Sequence, residues 1–184
     1  SRETDDGATA WNPFDEPGDI QYRTVGGDGT GTDVVALHPR TGAIATVRID
    51  TSGDGLSFET VRRTSVDGNI DPGTIESLGD LTDDGVDDLY FEYRSEDESR
   101  GAVFSPAAGE IVMTVSQPRD LSLVTTEGDF TGDGTPGMVI YRGADTRTVT
   151  AYSGVEEVWS TQVERPPISG TIHPAAPAGD VDGD

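Results

Sequence analysis

The residues best suited to chemistry are oxygen-bearing side chains that alternate along Gly79-Asp80-Leu81-Thr82-Asp83-Asp84-Gly85-Val86-Asp87-Asp88. Asp80, Thr82 and Asp84 fall at every second position, and Asp88 follows after Gly85. A glycine after the third oxygen lets a short loop curl until its oxygens converge, because glycine adopts backbone angles that a β-carbon resists. Converging carboxylates repel one another unless a cation lies between them, and an all-oxygen set suits Ca2+. The predicted ligands are Asp80, Thr82, Asp84, the backbone carbonyl of Val86, and Asp88. The chain then enters Leu89-Tyr90-Phe91-Glu92-Tyr93, whose aromatic content reads as a strand.

The stretch recurs. Gly128-Asp129-Phe130-Thr131-Gly132-Asp133-Gly134-Thr135-Pro136-Gly137 leads into Met138–Tyr141 and offers Asp129, Thr131, Asp133 and Thr135, with Gly137 where the last carboxylate belongs. Gly179-Asp180-Val181-Asp182-Gly183-Asp184 adds Asp180, Asp182 and Asp184. A looser relative around Asp28 has Thr24 and Gly26 where the earlier ligands belong, and reads as a metal-free turn. Asp28, Asp84, Asp133 and Asp184 recur about every fifty residues, the mark of a repeat architecture. Asp50, Ser52 and Asp54 also alternate, but Phe58 stands where another oxygen is needed, so 51–55 reads as a hairpin turn. Helical calcium loops require a bidentate Glu at the twelfth position, where this chain has Phe91 and Ile140. A short-period calcium β-roll has only one imperfect copy, at Gly26–Thr32.

The elements that must hold these loops are short strands, and no segment has a helical period. The first unit reads as Ile20–Val25, Val34–Leu37, Ala43–Ile49 and Leu56–Val61, with Val66–Pro72 as a connection. The second reads as Thr74–Leu78, Leu89–Tyr93, Gly101–Phe104 and Glu110–Val115. The third reads as Leu121–Val124, Met138–Tyr141, Thr148–Tyr152 and Val158–Val163. Four antiparallel strands per unit is the arithmetic of a β-propeller blade. The expected fold is all-β: about three four-stranded antiparallel blades and the start of a fourth, belonging to a larger propeller. Residues 1–18 form an extended arm, followed by units at 19–73, 74–120, 121–177 and an incomplete 178–184. In the arm, Trp11 and Phe14 are expected at the edge of the core, with docking onto a neighbouring surface as the alternative.

Composition narrows the function. Across 184 residues, Lys+Arg 12 against Asp+Glu 35 gives a formal net charge of −23, and every basic residue is Arg. Such a surface disfavours nucleic acid and anionic membranes and favours cations; it equally suits a high-salt environment. With Cys 0, disulfides and thiolate chemistry are excluded. No apolar stretch approaches the roughly twenty residues that span a bilayer, so no membrane insertion is expected. The chain starts at Ser1 without Met, which reads as a processed or partial chain. His38 and His173 each precede a proline and belong to no metal or triad motif, so the chain does not read as an enzyme.

Loop and spacing together resemble the FG-GAP/VCBS repeat family, found in integrin α-subunit propellers and many bacterial and archaeal surface proteins. The family loop is Gly-Asp-x-Asn-Gly-Asp-Gly-x-x-Asp-Leu. Gly79–Leu89 follows it with Thr82 for Asn and Asp83 for Gly, and Gly128–Gly134 follows its first half. Arg40-Thr41-Gly42-Ala43, and Ser52–Gly55 before Phe58, resemble interior turns of such blades. The resemblance covers about residues 19–184. It implies structural calcium at the propeller rim, an extracellular or cell-surface location, and a protein or glycan ligand in adhesion. Two alternatives remain open: a subunit of a surface, filament or virion assembly, and a non-catalytic propeller attached to an enzyme. Further blades would come from the same chain, another chain or self-association.

Overall fold

The computed structural model describes residues 2–3, 9–16, 18–26, 32–50, 56–96, 98–117, 122–126, 129, 131–142 and 146–164. The Asp28 loop, the 51–55 turn, His173 and the predicted ligands Asp180, Asp182 and Asp184 lie outside them. Among the described residues every regular element is a strand.

β1 (Arg2–Glu3) pairs with β2 (Thr9–Ala10). A first sheet follows in chain order, β3 (Gln21–Val25), β4 (Thr32–His38), β5 (Ala43–Asp50) and β6 (Ser57–Ser65). The second sheet is β7 (Asn69–Ser77), β8 (Leu89–Arg94), β9 (Ser99–Ser105) and β10 (Glu110–Gln117). The third is β11 (Ser122–Thr126), β12 (Gly137–Arg142), β13 (Thr146–Ser153) and β14 (Glu156–Glu164). Each is an antiparallel meander in which every strand pairs with its chain neighbour, the connection short loops favour.

One element differs from the sequence expectation. Val66–Pro72 reads as a connection, yet Asn69–Ser77 is the edge strand β7. Pro72 is tolerated there because the ladder is broken: Asp71 faces Glu92, Glu76 faces Tyr90, and the residues between bulge. Within the bulge Thr74 accepts the Glu92 amide and donates to the Asp71 carbonyl. The N-terminal segment opens with the β1–β2 pair, and its Trp11 and Phe14 pack against the first sheet.

The middle sheet is apolar on both faces, as a strand enclosed on both sides must be. Leu89, Phe91 and Tyr93 alternate toward the first sheet, in one cluster with Val35, Leu37, Ile44 and Phe104. Tyr90 and Val103 point the other way and join Met138, Ile140 and Tyr152 of the third sheet. Phe91 is wholly enclosed, and truncating such a ring to Ala typically costs about 3–5 kcal/mol.

The two end faces differ. On the first sheet, Ala36, Ala45 and Val47 are covered by Trp11, Phe14 and Ile20 from the N-terminal segment. Trp11 stacks on Phe58 at 5.2 Å, its carbonyl accepts the Tyr22 hydroxyl at 3.0 Å, and Arg63 donates to the Pro13 carbonyl. His38 is sealed beneath this strap with neither ring nitrogen hydrogen-bonded among the described residues, the Phe14 ring edge-on at 5.8 Å. On the third sheet, the register puts Val139, Ala151 and Trp159 on the face away from the second sheet. There Trp159 is 53% exposed and Val163 43%.

Candidate metal centre

The Asp80 loop spans the gap between β7 and β8. Its ends are pinned together, the Leu78 amide donating to the Asp88 carbonyl at 2.9 Å and the Asp88 amide to the Gly79 carbonyl at 2.8 Å. Gly79 and Gly85 have φ of 71° and 87°, the left-handed region in which a side chain is strained. The curl inferred from the alternating pattern is therefore present.

Within this loop the carboxylates take up backbone donors. Asp80 accepts the Asp84 amide at one oxygen (2.9 Å) and the Gly85 amide at the other (2.8 Å). Asp84 Oδ1 accepts the Val86 amide at 3.0 Å, and its Oδ2 accepts the Thr82 hydroxyl at 2.9 Å. Asp88 is fully buried, and its Oδ2 accepts the Leu81 and Thr82 amides at 2.8 and 2.9 Å. Thr82 Oγ1 also lies 3.3 Å from Asp88 Oδ1, so it bridges the second and third of these carboxylates. Burial pushes the Asp88 carboxyl up to about 6 against the Thr82 bonds, and the nearby charge of Asp84 pushes the same way.

The Asp129 loop repeats the arrangement. Asp129 Oδ1 accepts the Asp133 amide at 3.2 Å, and its Oδ2 accepts the Gly134 amide. Asp133 Oδ1 accepts the Thr135 amide at 2.8 Å. The missing last carboxylate changes one thing. The Thr131 amide, counterpart of the Thr82 amide that goes to Asp88, turns back to Asp129 at 3.0 Å. Both carboxyls are exposed and held below the usual range, Asp129 chiefly by the Gly134 amide and Asp133 chiefly by the Thr135 amide.

Sequence reasoning missed two residues. Ser105 Oγ donates to Asp84 Oδ2 at 2.8 Å, and Ser153 Oγ donates to Asp133 Oδ2 at 3.2 Å. Each is the last residue of the third strand of its sheet, after an aromatic residue and shortly before a turn. That recurrence was the available signal, but nothing local connects it to a loop some twenty residues upstream.

The Asp80 loop also touches both neighbouring sheets. Asp87 accepts the Gly26 amide at 3.2 Å and donates its own amide to the Gly26 carbonyl at 3.2 Å. On the other side Leu81 is buried in the core shared with the third sheet, and its carbonyl abuts Gly154.

The donor set is hard oxygen throughout, as Ca2+ requires. Neither ion pair among the described residues, Arg48–Asp33 or Arg100–Glu98, neutralises a loop carboxylate. Among the described residues no group of three or more acidic, His or Cys side chains is already gathered at ligating positions. Asp80, Thr82, Asp84, Val86 and Asp88 thus share one loop, with the carboxylate oxygens satisfied by amides and hydroxyls. Asp129, Thr131, Asp133 and Thr135 do so in the third unit, and the structure brings the two sets to different sheets. No protein-family model matches the chain, and no curated protein or solved structure matches it.

Proposed function

We propose that the chain is a calcium-stabilised β-propeller module of the FG-GAP/VCBS type, acting outside the cell in adhesion or in binding a protein or glycan. The observation that carries the reading is Asp88. A fully buried carboxylate, beside a second one and without a basic partner among the described residues, is costly to keep ionised. A divalent cation among Asp80, Thr82, Asp84, the Val86 carbonyl and Asp88 supplies the missing charge. When bound it ties together a loop that touches all three sheets, a role in folding rather than in catalysis. Asp129, Thr131, Asp133 and Thr135 form a second, weaker site, because Gly137 contributes no carboxylate. Millimolar calcium outside cells suits sites of this kind.

The larger propeller is supported by the exposed face of the third sheet, whose counterparts on the first two sheets are each covered by the next sheet. The same face favours the second reading, self-association into a surface assembly. Light scattering distinguishes this geometry from a self-sufficient fold: a monodisperse monomer with Trp159 exposed would remove the case for missing blades.

Calcium is tested by melting the protein with chelator and with millimolar Ca2+. Binding only the folded state at about a hundred times the dissociation constant stabilises it by about 2.7 kcal/mol. For a chain of this size that is a rise of several degrees. An unchanged melting temperature removes calcium from the account.

A further inference from the structure

We infer that Ser105 and Ser153 are positioning residues for the cation, each holding the carboxylate at the third ligand position of its loop from the third strand of its own sheet. The inference rests on the calcium reading above and adds to it two residues outside the loops. In both units the aspartate at the third ligand position is gripped at both oxygens, one by the amide two residues on and the other by this serine. A carboxylate gripped at both ends cannot rotate. It still has lone pairs for a metal, since two oxygens offer about four acceptor sites. Fixing a ligand before the cation arrives removes an ordering cost from binding.

The serine proton is itself directed. Ser105 Oγ accepts the Ala108 amide at 3.1 Å, which leaves its O–H to point at Asp84. The turn that supplies this amide is closed by the Gly109 amide on the Ser105 carbonyl at 2.7 Å. Its Pro106 carbonyl accepts the buried Thr46 hydroxyl of the first sheet at 3.2 Å. Ser105 therefore links the loop to the junction between two sheets. Ser153 stands next to Gly154, whose amide donates to the Pro136 carbonyl at 2.9 Å, tying the turn to the Asp129 loop. Ser105 is fully buried and Ser153 half-buried, so the grip of Ser105 is the stronger.

Calorimetric titration with Ca2+, well below the melting temperature, tests this on wild type, Ser105→Ala, Ser105→Thr and Ser153→Ala. Ser105→Ala is expected to weaken the tighter binding event about tenfold. Ser105→Thr keeps the hydroxyl and restores it, and Ser153→Ala weakens the second event by a smaller factor. A purely structural serine would lower the melting temperature in chelator and leave affinity unchanged in the folded protein. If wild type binds calcium and both alanine variants bind it equally well, the inference fails and the calcium reading stands. If wild type takes up no calcium and gains no melting temperature, both fail. Should Ser105→Ala not fold, Ser153→Ala and Ser105→Thr still decide the matter: Ser153→Ala at wild-type affinity overturns the inference.

Discussion

The Asp80 and Asp129 loops have the same hydrogen-bond frame and opposite electrostatics. In each, the first aspartate caps the amides four and five residues on, and the third ligand caps the amide two residues on and takes a serine from across the sheet. Only the first loop has a final carboxylate, and it is fully buried. Burial raises Asp88, whereas exposed amide contacts lower Asp129 and Asp133. The frame is thus a property of the alternating aspartates and glycines. In the calcium reading proposed above, the demand for a cation comes from one residue and its burial.

Exchanging that residue should give the largest effect. Asp88→Ala leaves the Leu81 and Thr82 amides without acceptors in a buried place, at about 1–3 kcal/mol for each lost partner. A loss of roughly 2–4 kcal/mol is expected from denaturant unfolding in chelator, with loss of the tighter calcium event. The converse change, Gly137→Asp, offers the Thr131 amide the kind of acceptor that Asp88 gives Thr82, in place of its bond to Asp129, and should tighten the weaker event toward the first. If Asp88→Ala unfolds like wild type in chelator, the two loops do not differ in the way their burial indicates.

Next in size is the third ligand. Asp84→Ala should lower calcium affinity more than Asp133→Ala, because the Asp84 loop keeps a fuller carboxylate set. The reverse order in titration calorimetry would show that a group outside the loops completes the Asp129 site.

The loops and the meander were legible because both have short periods. Oxygens at alternate positions and a glycine after the third require a curl, and Gly85 and Gly134 have the matching φ of 87° and 88°. Strands of apolar and aromatic residues at a steady spacing gave the sheets to within a residue or two at most ends. What stayed hidden depends on contacts between distant parts. Pro72 made Asn69–Ser77 look like a connection, because a bulge that tolerates proline is set by the partner strand. Ser105 and Ser153 are ordinary serines until pairing brings them beside a loop. The enclosure of His38 depends on a strap whose polar, proline-broken sequence gives no sign of the face it covers.

The smallest difference between the loops is one of backbone. Asp83 has φ of 55°, and its counterpart Gly132 has 73°, so one turn is made by aspartate and the other by glycine. Aspartate tolerates the left-handed region better than most residues, yet still at some cost. Asp83→Gly should therefore stabilise the chelated protein by about 0.5 kcal/mol, the relief of strain being partly offset by the greater freedom of glycine when unfolded. Removing an exposed carboxylate from an acidic loop would act in the same direction. Asp83→Asn separates the two causes, since it removes the charge and keeps a side chain that accepts this φ. Denaturant unfolding in chelator reads both variants. An equal gain from Asn and Gly would assign the effect to charge and leave the two turns equivalent in backbone energy. A gain from Gly alone assigns it to φ, and Gly132→Asp should then cost the third unit a comparable amount.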